Sequence, residues 1–393
     1  MMRAMVRITL LLALLAVPVG ASAQESPNRW EGMADLPPPP LKIALPGGFT
    51  LIPNAHIQLW ATPFDMDDPD ANDPIVIGDP DHREGFSIRR ARFGIAGDWN
   101  DFLGLSVMGG WDDRYDALSP RPEAFSLVEA LFWVSPIDAF NVAGGIGRVA
   151  FGRQAQVSSN DLTLHERAML SNVIAPNREP GLMLFGELGP EDNAVLPPSA
   201  LHYQVSITNG TSDYTGDLDP APRLAGRVRL DLVTPWENRE FNTDLPAFGL
   251  SIGGGAMQHW GLEADRTTVG ADLGVRVWRF TILGEFAWQR ANPTFDVEGI
   301  PEVLAQRDAI GVLGHVGAVI VPELLDVNVR VDWLDDHSAL DDAGDRLDIT
   351  GGIGVYLLKR HLKIQVDWTH REELTEGFGT PNDSLVVLMQ ARL

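Results

Sequence analysis

Residues 324–336 read LLDVNVRVDWLDD. Leu325, Val327, Val329, Val331 and Trp333 alternate with Asp326, Asn328, Arg330 and Asp332. A period of two marks a β-strand, whose successive side chains point to opposite faces. One face is wholly apolar and the other carries both signs of charge. The first must be buried against something, and the second needs partners or water. The same period recurs in LHYQVSI (201–207), RLAGRVRLDL (223–232), VGADLGVRV (269–277) and LKIQVDW (362–368). There the apolar set includes Leu201, Tyr203, Val205, Leu224, Val228, Leu230, Val269, Leu273, Val275, Leu362, Ile364 and Val366, and no charge enters it.

The bulk properties narrow the setting. Residues 1–23 read as a secretory signal peptide, with Arg3 and Arg7 before ITLLLALLAVPV and a small-residue cleavage site at Ala21-Ser22-Ala23. An apolar run of about 12 residues is too short to span a bilayer, and nothing later reaches the roughly 18 that a membrane helix needs. Residues 24–53, with LPPPPLK (36–42), read as an extended periplasmic lead-in. The chain has no cysteine, which excludes disulfides, thiolate metal sites and a cysteine nucleophile. Its net charge is −24 and its only lysines are Lys42, Lys359 and Lys363, which argues against nucleic acid as a partner. An exported, acidic, glycine-rich chain of this kind fits the envelope of a Gram-negative bacterium.

From residue 54 to 393 the periodicity predicts strands and almost no helix. The expected cores are 55–62, 86–98, 102–112, 123–134, 140–151, 180–188, 200–209, 223–233, 247–259, 267–278, 280–290, 307–321, 324–334, 346–359, 361–371 and 383–393. Links after even-numbered strands tend to be short, as in WND near 99–101, PE at 322–323 and KR at 359–360, although 189–199 and 234–246 are longer. Links after odd-numbered strands are mostly long and acidic, as in 64–84, TSDYTGDLDPAP (211–222) and DDHSALDDAGD (335–345). The expectation is an all-β fold, a 16-stranded antiparallel transmembrane β-barrel with short periplasmic turns and long acidic extracellular loops. A lysine or arginine facing lipid near mid-bilayer costs about 2–4 kcal/mol, so hydrocarbon selects a clean outer face. Tryptophan gives a second signal. Trp60, Trp111, Trp260, Trp288, Trp333 and Trp368 fall near outer strand ends, and Trp99, Trp133, Trp236 and Trp278 near inner ones, as two aromatic girdles would require.

The charged face would then line the lumen. It carries Arg90, Arg92, Arg148, Arg227, Arg229, Arg276, Arg330, Lys363 and Arg392 against Asp98, Glu129, Asp231, Asp272, Glu285, Asp326, Asp332, Asp348 and Asp367. A dry interior does not solvate so many ions, so either they pair closely or water fills the space. A barrel of 16 strands leaves an aqueous channel, which favours a pore. Arg90 and Arg92, two apart on one face, are candidate stepping points for anions, while Arg89 should point outward near the rim. The longest link, RQAQVSSNDLTLHERAMLSNVIAPNR (153–178), is the candidate constriction loop, with a short helix expected over LTLHERAML. Arg153, Asp161, His165, Glu166 and Arg167 are its candidate constriction residues.

The chain resembles the phosphate-selective porin O/P family in GFSIRRARFGIAGDWNDFLGL (85–105), GRVAFGRQ (147–154), NREPGLMLFGELG (177–189), YQVSITNGT (203–211), RLAGRVRLDL (223–232) and ILGEFAW (282–288). The resemblance implies a sixteen-stranded barrel, commonly trimeric, with an inward-folded third outer loop and a basic lumen that draws anions. Two departures stand out. The chain ends on Leu393 where the family usually closes on an aromatic residue, and the loop at 153–178 holds no lysine while the lumen charge is balanced. Acidic outer loops should attract cations at low salt.

Other motifs point nowhere specific. DMDDPDAND (65–73) lacks the sixth-position glycine and twelfth-position glutamate of a calcium loop and reads as a solvated acidic loop. SIGGGAM (251–257) and TGGIGV (350–355) precede no helix, so they are not phosphate loops. No serine-centred motif accompanies His202, His259 or His315, so no catalytic residue, metal or cofactor is expected. The expected function is an outer-membrane pore for small hydrophilic solutes or inorganic ions, anions such as phosphate included. Lipid, lipopolysaccharide and a homotrimer are its expected partners. The alternative is a structural or adhesive barrel with a blocked lumen.

Overall fold

The computed structural model describes residues 41–66, 84–112, 125–189, 200–211, 221–233, 236, 239–240, 248–294, 306–340, 344–358, 361–374 and 382–393. The expected signal peptide, most of the lead-in, much of the acidic loops at 64–84 and 211–222, and residues 341–343 of the loop at 335–345 lie outside the described residues. No helix among the described residues is long and apolar enough to cross a membrane.

Every strand expected from the two-residue period forms. A three-residue strand β1 (Ile43–Leu45) folds back on the start of β2 (Phe49–Met66), which therefore begins ahead of the expected residue 54. Around the ring follow β3 (Gly85–Trp99), β4 (Leu103–Asp112), β5 (Ser126–Ile137), β6 (Phe140–Arg148), β7 (Arg178–Leu188), β8 (Ala200–Thr208) and β9 (Arg223–Leu232). Then come β10 (Gly249–Trp260), β11 (Ala264–Val277), β12 (Phe280–Pro293), β13 (Arg307–Val321), β14 (Leu325–Asp335), β15 (Arg346–Leu357), β16 (Leu362–Glu373) and β17 (Asn382–Arg392). Each pairs antiparallel with the next, and β17 pairs with β2, so β2–β17 close a barrel of sixteen strands. Closure leaves no unpaired edge, which is what lets a sheet stand in hydrocarbon.

The short turns gather on one rim. Asn100 (φ 53°) and Asp101 (φ 56°) turn β3 into β4 with both central residues left-handed, the hairpin geometry that Asn and Asp tolerate best. Trp278, Glu323 and Leu358 supply a positive φ at three more of these turns. Besides the long links β7–β8 and β9–β10 on the short-turn rim, one link on the long-loop rim departs from the alternation, since β10 and β11 are joined by Gly261–Glu263 alone.

The outer face is apolar as expected. Val329 (47% exposed), Val331, Val228, Leu273 and Val366 all face outward. The charged residues that do face outward cluster near the long-loop rim as Arg290–Asp308 (2.8 Å) and His370–Asp383 (2.6 Å). Of the aromatic girdles, Trp111, Trp260 and Trp368 on one rim and Trp99 and Trp278 on the other are exposed. Three tryptophans correct the expectation. Trp133 is wholly buried and packs inward with Ile52, Ala96, Leu131, Ala143 and Met183. Trp236 is buried inside the barrel, and Trp60 turns toward the inward loop, its ring 5.3 Å from that of His165. Strand ends place a tryptophan's height but not its side.

Val329→Lys puts a charge in the middle of the outward face and is expected to destabilise the lipid-inserted barrel by about 2–4 kcal/mol. Urea unfolding of the protein refolded into lipid vesicles measures this. An unchanged midpoint would mean that β14 does not face hydrocarbon.

Candidate functional site: the lumen and its inward loop

The residues expected to line the lumen do face inward, and carboxylates and guanidiniums meet there. On β9–β11, Arg227 Nη1 lies 2.6 Å from Asp272 Oδ2 and Arg229 Nε 3.0 Å from Asp231 Oδ1. On β14, Arg330 Nε lies 2.7 Å from Asp332 Oδ2. Arg276 stacks on the Trp236 ring at 3.9 Å, and Tyr356 Oη donates to Asp326 Oδ2 at 2.8 Å. Arg90 and Arg92 share the inner face of β3, yet neither is open to a passing anion. Gln58 and Glu166 take Arg90, and Asp112 takes Arg92 through both carboxylate oxygens.

The link from β6 to β7 folds into the lumen along its whole length. Val149, Ala150, Phe151, Leu170 and Ile174 dock as an apolar patch on Ala225, Met257, Ala287, Ala309 and Leu334 of the wall. Glycine makes room for it, since a Cβ on Gly270 would come within 2.9 Å of the Phe151 ring. A short helix α1 (Arg153–Gln156) and a π-helical turn (Leu170–Ile174) frame the segment. The helix expected over LTLHERAML does not form, and 161–168 run irregularly across the barrel. The physical reason is tertiary, because successive residues there are claimed by different walls and a helix could not reach them all.

Four of the five candidate constriction residues make such contacts with the wall, and Arg167 bonds within the loop. Arg153 Nε bonds Asp272 Oδ1 at 2.7 Å, and the N–H groups of Arg153 and Gln154 donate to the two oxygens of Glu285 at 2.9 and 3.0 Å. Asp161 accepts from Arg392 Nη2 at 3.0 Å, and the neighbouring Leu162 carbonyl accepts from Lys363 Nζ at 2.9 Å. His165 Nδ1 lies 3.0 Å from Asp367 Oδ2. Glu166 binds Arg89 (2.8 Å) and Arg90 (2.9 Å), and its carbonyl accepts from Arg330 at 2.7 Å. Arg167 closes the loop on itself by donating to the Val157 carbonyl at 2.6 Å. Arg148 does the same from β6, donating to the Gln156 carbonyl at 2.9 Å.

Burial works to raise the Glu166 carboxyl, but Arg90, Arg89 and Arg167 outweigh it and hold it well below the usual range. Burial, with Arg148 alongside, pulls Arg167 down to about 9, so it stays charged at neutral pH. At the height of the loop, wall charges are thus met by loop groups and by one another rather than by open water. Among the described residues, cavities of about 10 Å³ flank the loop on two sides, each with room for about one water. One is lined by Asn160, Asp161, Thr163, Lys363, Gln390 and Arg392, the other by Arg153, Gln154, Glu240, Glu285 and His315.

Two participants are invisible to strand periodicity. Arg89 faces the loop rather than the outer rim, because β3 carries an extra residue there. Gln58 pairs with Arg90 and Leu59 with Ile88, a β-bulge that leaves Arg89 over and turns it inward beside Arg90. Glu240, on the β9–β10 link, lies among the loop residues, and only the unusual length of that link marked it out. Burial works to raise its carboxyl, but His315, the Thr163 N–H and Arg330 outweigh it and hold it down. Among the described residues no group of three or more His, Asp or Glu is placed to hold a metal ion.

The sequence profile of the family described as phosphate-selective porin O and P matches residues 63–244, a little under half of the chain. Solved structures share the fold over nearly the whole length. An anion-selective porin from Comamonas acidovorans is similar at 12% identity and a TM-score of 0.53, over 88% of this chain and 100% of that one. The outer-membrane channel DcaP of Acinetobacter baumannii is similar at 12% identity and 0.56, over 89% and 99%. Salmonella typhi OmpF, in complex with daunomycin, is similar at 12% and 0.53, over 90% and 100%. No protein with a curated description matches the chain by sequence. The resemblance read from the sequence and the barrel fold are both borne out.

Because the Glu166 carboxyl is held low, its contribution to loop docking is fully present above about pH 4.5 and fades only as pH falls toward its depressed value. Hydrogen exchange over 161–168, corrected for intrinsic rates, should therefore be unchanged between pH 7 and pH 5. Glu166→Gln at pH 7 should speed that exchange roughly tenfold, as loss of a charged hydrogen bond implies. Equal protection in the two proteins would remove Glu166 as the loop's anchor.

Proposed function

We propose that this protein is an outer-membrane porin, a non-enzymatic channel through which small hydrophilic solutes and inorganic ions, anions included, diffuse passively. The observation that carries the proposal is a charged loop docked across the middle of a closed sixteen-stranded barrel. A structural barrel needs only a stable outer face, whereas a selective pore needs a fixed set of charges at a narrow place. Arg90, Arg92, Arg148, Arg227, Arg229, Asp231, Asp272, Arg276, Glu285, Asp326, Arg330, Asp332, Lys363 and Asp367 form the wall in this reading. Arg153, Asp161, His165, Glu166 and Arg167 form the constriction.

Balanced lumen charge argues for weak selectivity, and the acidic outer loops favour cations at low salt. The family resemblance supports anions, and the pairing of Arg90 and Arg92 with carboxylates opposes a ladder of open arginines. The family resemblance supports a homotrimer, and the apolar outer face supports contact with lipid and lipopolysaccharide, with part of that face as subunit contact. The signal sequence read at 1–23 supports export to the outer membrane. A second reading, a structural or adhesive barrel with a closed lumen, is favoured by one observation: the cavities beside the loop have room for about one water each.

Planar-bilayer recording of the refolded protein decides between the readings. Stepwise openings, with a reversal potential that shifts only modestly toward cations in a salt gradient, are expected. Phosphate-blockable anion currents would assign the narrower specificity of the family, and a protein that inserts without any openings would leave the structural barrel.

A further inference from the structure

The β9–β10 link belongs to the short-turn rim, yet its described residues do not stay there. Trp236 and Glu240 are only 3% and 2% exposed. The Trp236 N–H donates to Asp231 Oδ2 at 2.8 Å and its carbonyl accepts from Arg229 Nη2 at 2.8 Å, so the chain turns back into the barrel directly after β9. The Trp236 ring then meets two guanidiniums, Arg276 at 3.9 Å on the wall and Arg153 at 5.0 Å on the loop. Contacts of this kind gain strength where water is displaced. Gly274 leaves the ring its space, since a Cβ there would come within 2.7 Å of it.

Glu240 reaches the same loop at two further points. One of its oxygens accepts from the Gln154 side chain, and the other accepts from the Thr163 N–H at 2.8 Å and the Thr163 hydroxyl at 3.0 Å. The Thr163 hydroxyl also lies 3.2 Å from His315 Nε2 on the wall. Burying a carboxylate is costly unless donors surround it, and a link that merely joined two strands would have no use for one. Here three donors come from the opposite rim's loop. Two residues of one link thus grip Arg153, Gln154 and Thr163, which span the loop's approach to the centre.

We propose that Trp236 and Glu240 of the β9–β10 link form a second constriction element, in which Glu240 is a positioning residue that holds the inward loop at its working width and adds a negative charge beside it. The proposal rests on the channel reading above and assigns part of the constriction to the rim opposite the loop. Glu240→Ala removes both acceptor oxygens and the charge, while Glu240→Gln removes the charge and one acceptor oxygen and keeps the other. In planar bilayers Glu240→Ala should step between conductance levels roughly tenfold more often than wild type, as loss of a charged hydrogen bond predicts. Glu240→Gln should step less often than Glu240→Ala and move the reversal potential toward anions, a shift that a purely structural residue would not produce. Thr163→Val removes the hydroxyl contact and keeps the Thr163 N–H, so it should act in the same direction as Glu240→Ala and more weakly.

Variants that refold with the wild-type heat-modifiable mobility and keep wild-type dwell times and reversal potential would overturn the proposal. A wild-type protein that does not conduct would remove the channel reading instead. Hydrogen exchange over 153–163 then tests the contact by itself. It should be roughly tenfold faster in Glu240→Ala if Glu240 positions the loop, and wild-type exchange there would overturn the assignment.

Discussion

Hydrocarbon offers no partner for a backbone N–H or C=O, and that single constraint organises the molecule. A sheet can meet it only by closing, and β17 pairing with β2 is the closure. Closure divides every strand into two environments. The outer face must be apolar across the hydrocarbon, so most of the polar chemistry of the strands is driven inside. The dense lumen of arginines and carboxylates follows from that division.

Once inside, the charges create a second demand. Each buried ion needs partners, and a sixteen-stranded ring is too wide for its wall residues to satisfy one another across the middle. The loop from 149 to 177 supplies what is missing. Its carbonyls accept from Lys363, Arg330 and Arg148, its carboxylates meet Arg392, Arg89 and Arg90, and its amides donate to Glu285 and Asp367. The loop is therefore held by polar contacts around most of the ring and by one apolar patch. This arrangement can set a narrow passage.

Periodicity made the strands legible because a two-residue alternation reports which environment each side chain enters. That is why stretches such as 324–336 and 362–368 predicted both the barrel and its inward charges. Arg89 escaped because a single extra residue in β3 reverses parity locally, and no alternation records a bulge. Trp60, Trp133 and Trp236 escaped because position along a strand reports depth and not direction. The expected helix over 162–170 failed because local propensity yielded to contacts with several separate strands. Glu240 carried no local signal at all, since what makes it part of the site is a meeting of two links from opposite rims.

The central claim is that hydrocarbon surrounds this cylinder and the charges lie within it. Since the chain has no cysteine, single cysteines at Leu273 and Val228 can report their surroundings directly in lipid vesicles. Both should resist a charged, water-soluble thiol reagent, and a fluorophore placed there should be quenched by nitroxide-bearing lipid. Labelling at either position as fast as at a cysteine replacing Thr211, beyond the end of β8, would contradict the account.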